Sequence, residues 1–146
     1  MAMMRCSTHA SDGKANLHQG AVGVGIDIVT GHSLYAVQHN RKVEKHPDTG
    51  FRFDELELPH WDEVLRLASS CFEMTELGYF GADIVLDRTK GPVMLELNAR
   101  PGLAIQIANQ VGLKKRLQMV DEMRSIERKV EERIRLAKQM FGVVMV

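Results

Sequence analysis

The chain has 146 residues, 45% of them apolar and 26% charged, and its 19 Lys and Arg balance 19 Asp and Glu to a formal net charge of zero. The apolar fraction excludes a disordered chain, and the balanced charge removes any general pull toward nucleic acid or acidic membranes. No run approaches the ~18 apolar residues of a membrane span, and the opening Met1-Ala-Met-Met-Arg5-Cys-Ser-Thr lacks the apolar stretch of a secretory signal. Cys6 and Cys71 form neither a metal-type spacing nor a disulfide framework, so the reading is a cytoplasmic protein with buried thiols. The length allows one domain with a modest core.

Residues 1–20 read as small and polar, with Ser11-Asp-Gly-Lys14 as a turn. Residues 21–29 predict a strand: Val22, Val24, Ile26 and Ile28 fall on one face, and Gly23, Gly25 and Asp27 on the other. Thr30-Gly-His32 is a turn and residues 33–39 a second strand, after which 40–60 is an excursion loop rich in turn formers. Trp61, Val64, Leu65, Ala68, Cys71 and Phe72 recur at helical spacing, with Asp62 and Glu63 at the positive end and Gly78 as the stop. Residues 80–87 and 92–97 form the clearest hairpin, turning through Arg88-Thr-Lys-Gly91. A loop over 98–102 leads to a short helix over 103–109 and a long one over 114–140, whose stripe includes Leu117, Val120, Ile134 and Ala137. Antiparallel strands mixed with helices make the class α+β.

The hairpin register gives a candidate site. A four-residue loop over 88–91 pairs Asp87 with Pro92 and therefore sets Asp83 opposite Glu96, with Cβ atoms roughly 4.5–5.5 Å apart. Asn98 lies two residues on and points the same way, while Ile84, Leu86, Val93, Leu95 and Leu97 make the opposite face apolar. Facing carboxylates repel unless a proton or a cation intervenes, and an oxygen-only donor set favours a hard cation such as Mg²⁺ with substrate phosphates. Two readings fit: a Mg²⁺–nucleotide site, or two solvated acids on an edge hairpin with Asn98 opening a turn.

The flanking residues favour the first. Gly81-Ala-Asp83-Ile, then Glu96-Leu-Asn98-Ala-Arg-Pro-Gly102, with Asn16-Leu-His18-Gln-Gly20 upstream, resembles the C-terminal lobe of the ATP-grasp superfamily over about residues 5–112, most closely its α-L-glutamate ligase-like branch. The resemblance implies that Asp83, Glu96 and Asn98 are magnesium ligands, Glu96 bridging two ions. It implies that Asn16 and His18 line the phosphate or acyl-phosphate region, and that Arg100 and Gly102 sit in the loop receiving the carboxylate, with Arg100 and His18 as catalytic groups. Arg5 stands where relatives carry a basic residue. ATP and Mg²⁺ are the implied cofactors, and ligation of a small-molecule or peptide carboxylate to an amine, through an acyl phosphate to an amide, is the implied reaction. The sequence departs from close glutamate ligases at Gln19, where they tend to carry Arg. The adenine-clamping lobe of such enzymes precedes the Asn16 segment, before which fifteen residues stand here, so the expectation is a partial form.

Domain limits follow as a lobe over 1–112 and a helical extension over 113–146. The alternative is a non-catalytic ATP-grasp remnant that self-associates through its C-terminal helix; a Mg²⁺-dependent phosphate hydrolase on the same acids stands behind both. Gly20-Ala-Val-Gly23-Val-Gly25 sits within a strand, so the glycines read as sites of close approach rather than a dinucleotide turn. The six histidines lack a compact zinc-type spacing. Asp87 reads as a hairpin-end charge, Asp27 as a turn-proximal surface acid and Cys71 as core.

Overall fold

A computed structural model describes residues 1–123 and 129–142. Four antiparallel strands, β1 (Ala2–Cys6), β2 (Val22–Ile26), β3 (Ser33–Gln38) and β4 (Arg41–Lys42), lie side by side in chain order. Helix α1 (Trp61–Thr75) follows the excursion loop, then a separate two-stranded sheet of β5 (Gly81–Asp87) and β6 (Gly91–Asn98). Helices α2 (Ile105–Asn109), α3 (Leu113–Asp121) and α4 (Val130–Phe141) complete the chain. The class is α+β with antiparallel sheets, as the sequence predicts.

The alternation in β2 divides the first sheet into two faces with different partners. Val22, Val24 and Ile26 are fully buried and meet Ala36, Phe53 and Trp61, with Val64 and Leu65 of α1 packed against them. Each such aliphatic side chain is worth about 1.5–3 kcal/mol when removed from water. The Trp61 indole N–H donates to the Ile28 carbonyl at 3.1 Å, which ties the start of α1 to the end of β2. On the other face the glycines admit close neighbours: a Cβ on Gly25 would stand 2.2 Å from the Ala108 carbonyl oxygen of α2, and one on Gly23 would stand 2.8 Å from the Leu17 side chain. The expected close approach is thus made by α2 and by the short 3-10 turn Leu17–Gln19. Buried Asn109 completes the attachment, its side-chain amide donating to the carbonyls of Ala2 at 2.8 Å and Ile105 at 2.9 Å.

Several boundaries differ from the sequence reading. The first twenty residues contain a strand, β1, paired with β2 in the register Arg5 to Gly23. Its five residues alternate, with Ala2, Met4 and Cys6 on the core side, but the run is short and Met-rich and lies beside polar turns. Helix α1 stops before Gly78: Glu76 takes the left-handed conformation at φ 55° and donates its N–H to the Phe72 carbonyl. Asp27 is buried, not a surface acid; its carboxylate accepts from the Thr30 N–H and hydroxyl at 3.1 and 2.8 Å and closes the β2–β3 turn. The helical stretch expected over 114–140 divides, with α3 ending at Asp121 and Lys129 extended at φ −71°, ψ 137° just before α4. The sequence also offers Glu127 and Glu131 as an i,i+4 pair of helix neighbours and an apolar tail from Phe141 to Val146, of which Glu127 and residues 143–146 lie outside the described residues.

Helix α4 packs on α1. The Arg133 guanidinium, largely buried, donates to Glu73 at 2.6 Å and to the Ser69 carbonyl at 3.0 Å, and lies 5.3 Å from the Phe72 ring centroid. Lys138 reaches Asp62 at 2.7 Å. Among the described residues, no helix is long and apolar enough to cross a membrane. Both cysteines are free; Cys71 is buried, Cys6 half-buried, and burial pushes both thiols up.

Candidate active site

The β5–β6 hairpin sets Asp83 opposite Glu96, with Asn98 opposite Gly81 on the same face. It does so by a different route from the one predicted. The loop has three residues, Arg88 to Lys90, because Gly91 takes φ +71° and pairs with Asp87, where Pro92 was expected. That shortening alone would set Asp83 opposite Leu95, but a bulge between Asp83 and Ile84, where Ile84 pairs with Met94, restores the pairing with Glu96. The bulged residue is Leu95. It is 67% exposed instead of joining the apolar face, and Val93, paired with Val85, moves to the Asp83 side of the sheet. Asp87 serves the turn: its carboxylate accepts from the backbone N–H of Thr89 and Lys90 and from the Thr89 hydroxyl, bonds that hold its carboxyl below the usual range.

The two facing acids differ in their company. Asp83 Oδ2 lies 2.9 Å from the Arg5 Nη2 on β1, each side chain 40% exposed. Glu96 is exposed and makes no ion pair among the described residues. Asn98 Oδ1 accepts from the Arg100 backbone N–H at 2.9 Å, which starts the loop beyond β6 and leaves that carbonyl a second lone pair. The loop returns against the sheet, since a Cβ on Gly81 would meet Pro101 at 2.7 Å. The exposed Arg100 guanidinium makes no hydrogen bond or ion pair among the described residues.

The upstream segment builds a second part of the site. Asn16 caps the 3-10 turn, its Oδ1 accepting from the His18 N–H at 3.0 Å and its backbone carbonyl from Gln19 and Ala21. His18 lines a cavity of about 770 Å³ together with Gly102, Leu103 and Ile107. The cavity also meets Val37, His39 and Asn40, and among the described residues no Lys, Arg, Asp or Glu lines it. Arg5, Gly23 and Val37 are directly opposed across β1, β2 and β3. Two strand spacings, ~10 Å, therefore separate the residue that reaches Asp83 from the residue that borders the cavity. The structure brings Asp83, Glu96 and Asn98 to one face, and His18 and Gly102 to one cavity. Asn16 acts at the turn itself, and Arg100 lies outside the cavity lining.

The family described as sugar-transfer associated ATP-grasp matches residues 1–122, a span that contains the hairpin, the Asn16–Gly20 turn and the loop at Gly102. The chain belongs to this family. The match confirms the ATP-grasp superfamily that the Glu96-Leu-Asn98 and Pro101-Gly102 residues indicate. No curated protein and no solved structure matches the chain. ATP-grasp domains carry out ATP-dependent, ligase-type chemistry and typically use ATP with Mg²⁺.

The donor chemistry of this ATP-grasp domain fits a hard cation. Among the described residues no three His, Cys, Asp or Glu converge on a point that could hold a metal, so a cation here depends on Asn98 as third donor beside Asp83 and Glu96. Two carboxylates and a carboxamide are all oxygen ligands, and Mg²⁺ ordinarily takes only one or two carboxylates, filling its remaining positions with water and phosphate oxygens. The Arg5 guanidinium already places one positive charge against this pair. Sequence reasoning left Arg5 and Asn109 outside the candidate residues. For Arg5 the available signal was the resemblance, since it stands where relatives carry a basic residue.

Proposed function

We propose that this chain performs the phosphate-side chemistry of an ATP- and Mg²⁺-dependent ligation of a carboxylate to an amine. The observation that carries it is the directly opposed Asp83–Glu96 pair with Asn98 on the same face, inside the matched span. In such a reaction the γ-phosphoryl group of ATP passes to the carboxylate, giving ADP and an acyl phosphate, and the amine then displaces phosphate to give the amide. Mg²⁺, when bound, would supply charge neutralisation of the transferring phosphoryl group. Asp83, Glu96 and Asn98 would hold it, and the hairpin register fixes their spacing beforehand, so that little reorganisation would be needed. His18, on the cavity lining, would donate a hydrogen bond toward the transferring group. Arg100, in the loop after β6, meets the substrate carboxylate.

The cavity supports a narrower view of the substrate. Its polar lining, His18, His39, Asn40 and Gln106, is set among Leu17, Val37, Leu103 and Ile107 and includes no Lys, Arg, Asp or Glu among the described residues. Such donors and acceptors beside apolar surface suit a hydroxyl-bearing group, and the family is described by its association with sugar transfer. We infer an acceptor or donor that carries a sugar portion into this cavity and presents its reacting group toward the hairpin.

Isothermal titration with ATP and Mg²⁺ tests the site. Binding is expected to require Mg²⁺ and to weaken about tenfold or more in Glu96→Gln, which removes one charged ligand while keeping shape. Equal affinity in the variant and the parent refutes the assignment.

A further inference from the structure

The Arg5–Asp83 ion pair crosses from the first sheet to the second and uses a carboxylate that belongs to the cation site. We propose that Arg5 is a latch on the cation site: it holds Asp83 while no cation is bound and gives it up when the cation arrives. The inference rests on the function proposed above and concerns how that same site is regulated.

Three observations carry it. First, among the described residues Arg5 is the ion-pair partner of Asp83, whereas Glu96, at the roughly 5 Å Cβ spacing of opposed residues, is left without one. The guanidinium thus offsets the repulsion that would otherwise push two facing carboxylates apart, and keeps the donors assembled. Second, the pair is 40% exposed on each side, and an exposed ion pair is worth little, so a dication competing for the same oxygens can displace it. Third, Arg5 has solvent to turn into: its side chain is already 40% exposed, whereas the space over its ladder neighbour Gly23 is filled by Leu17. A fixed positive charge on a cation site lowers affinity, so the latch also sets the concentration at which the site fills.

The test is direct binding of Mn²⁺, followed through water-proton relaxation, in the full chain and in Arg5→Gln, Arg5→Lys and Glu96→Gln. Arg5→Gln is expected to bind Mn²⁺ about threefold or more tighter than the parent, and Arg5→Lys to lie near the parent because the charge remains. Charge alone would also tighten Arg5→Gln, so a second readout follows the latch itself. The Arg5 guanidinium Nη hydrogens, observed by nitrogen-15 NMR, are expected to be protected from solvent exchange without cation, because Nη2 holds Asp83, and to exchange at least severalfold faster at saturating Mg²⁺. Nη hydrogens that stay equally protected at saturation overturn the latch, as does unchanged or weaker Mn²⁺ binding by Arg5→Gln. If Glu96→Gln binds Mn²⁺ as well as the parent does, the cation site fails and the latch fails with it. If Glu96→Gln loses Mn²⁺ while Arg5 in the parent remains protected at saturation, the site stands and the latch alone is rejected.

Discussion

Gly25 shows what one residue contributes to this fold. Its missing side chain is the space that the Ala108 carbonyl of α2 occupies: a Cβ there would lie 2.2 Å from the carbonyl oxygen, well inside contact distance. No rotamer change relieves that clash, because the obstructing atoms are backbone. Gly25→Val is therefore expected to lose at least about 3 kcal/mol, the upper end of ordinary overpacking, as measured by urea denaturation. Gly50→Ala, where nothing lies within 4 Å but φ is +73°, should lose about 1 kcal/mol from backbone strain alone. Equal losses at the two sites would show that α2 does not rest on β2. The same scale separates the acids. Asp87 is spent on its turn and Asp27 on another, while Asp83 and Glu96 face each other, with the Arg5 guanidinium on Asp83 alone.

At the scale of elements, the hairpin and the C-terminal helix behave differently. The β5–β6 pair keeps its acids in register through a loop one residue shorter than predicted and a bulge that restores the count. Sequence pattern reached the opposed pair because two departures cancel, a loop one residue shorter and a bulge of one residue; it missed the bulge because Leu95 reads as one more apolar residue in an apolar run. Helix α4 is held on α1 by charged pairs, and their titration gives a direction. The hydrogen bond from Lys138 lowers the Asp62 carboxyl below its ordinary 3.8, and the one from Arg133 lowers Glu73 below 4.5. With folded values below unfolded ones, the unfolded chain binds more protons in between, so this stabilisation is complete above the ordinary carboxylate values and is lost as the pH falls through the lowered ones. Hydrogen-exchange protection of α4 amides, relative to those of β2, is expected to be full at about pH 6 and reduced at about pH 3, on either side of the ordinary carboxylate range. Constant relative protection would mean that Arg133 stacking on Phe72 holds α4 without the carboxylates.

For the whole molecule, the two sheets are joined near the site by the Arg5–Asp83 pair and by the Pro101 loop lying against Gly81. A cation that binds only the folded arrangement stabilises all of it, by about 1.4 kcal/mol at roughly ten times its dissociation constant. For a chain of this length that is a rise in Tm of roughly 3–6 °C. Differential scanning calorimetry with added Mg²⁺ should show this rise in the parent and little or none in Glu96→Gln. A similar rise in both would point to cation binding elsewhere.

The sequence by itself determined the local and periodic features. Alternation placed Val22, Val24 and Ile26 in the core and the glycines on the other face, helical spacing found α1, and the Asp83, Glu96, Asn98 and Pro101-Gly102 residues identified the superfamily. These are legible because they depend on neighbours within one or two turns of chain or one tight hairpin. Only the tertiary structure decided what meets what at long range: that Arg5 reaches Asp83, that Asn109 bonds to Ala2, that α4 folds back on α1, and that His18 shares a cavity with Gly102. Each of these joins residues 60 to 107 positions apart, where sequence spacing carries no information. They follow instead from how two sheets and four helices cover one another's apolar faces.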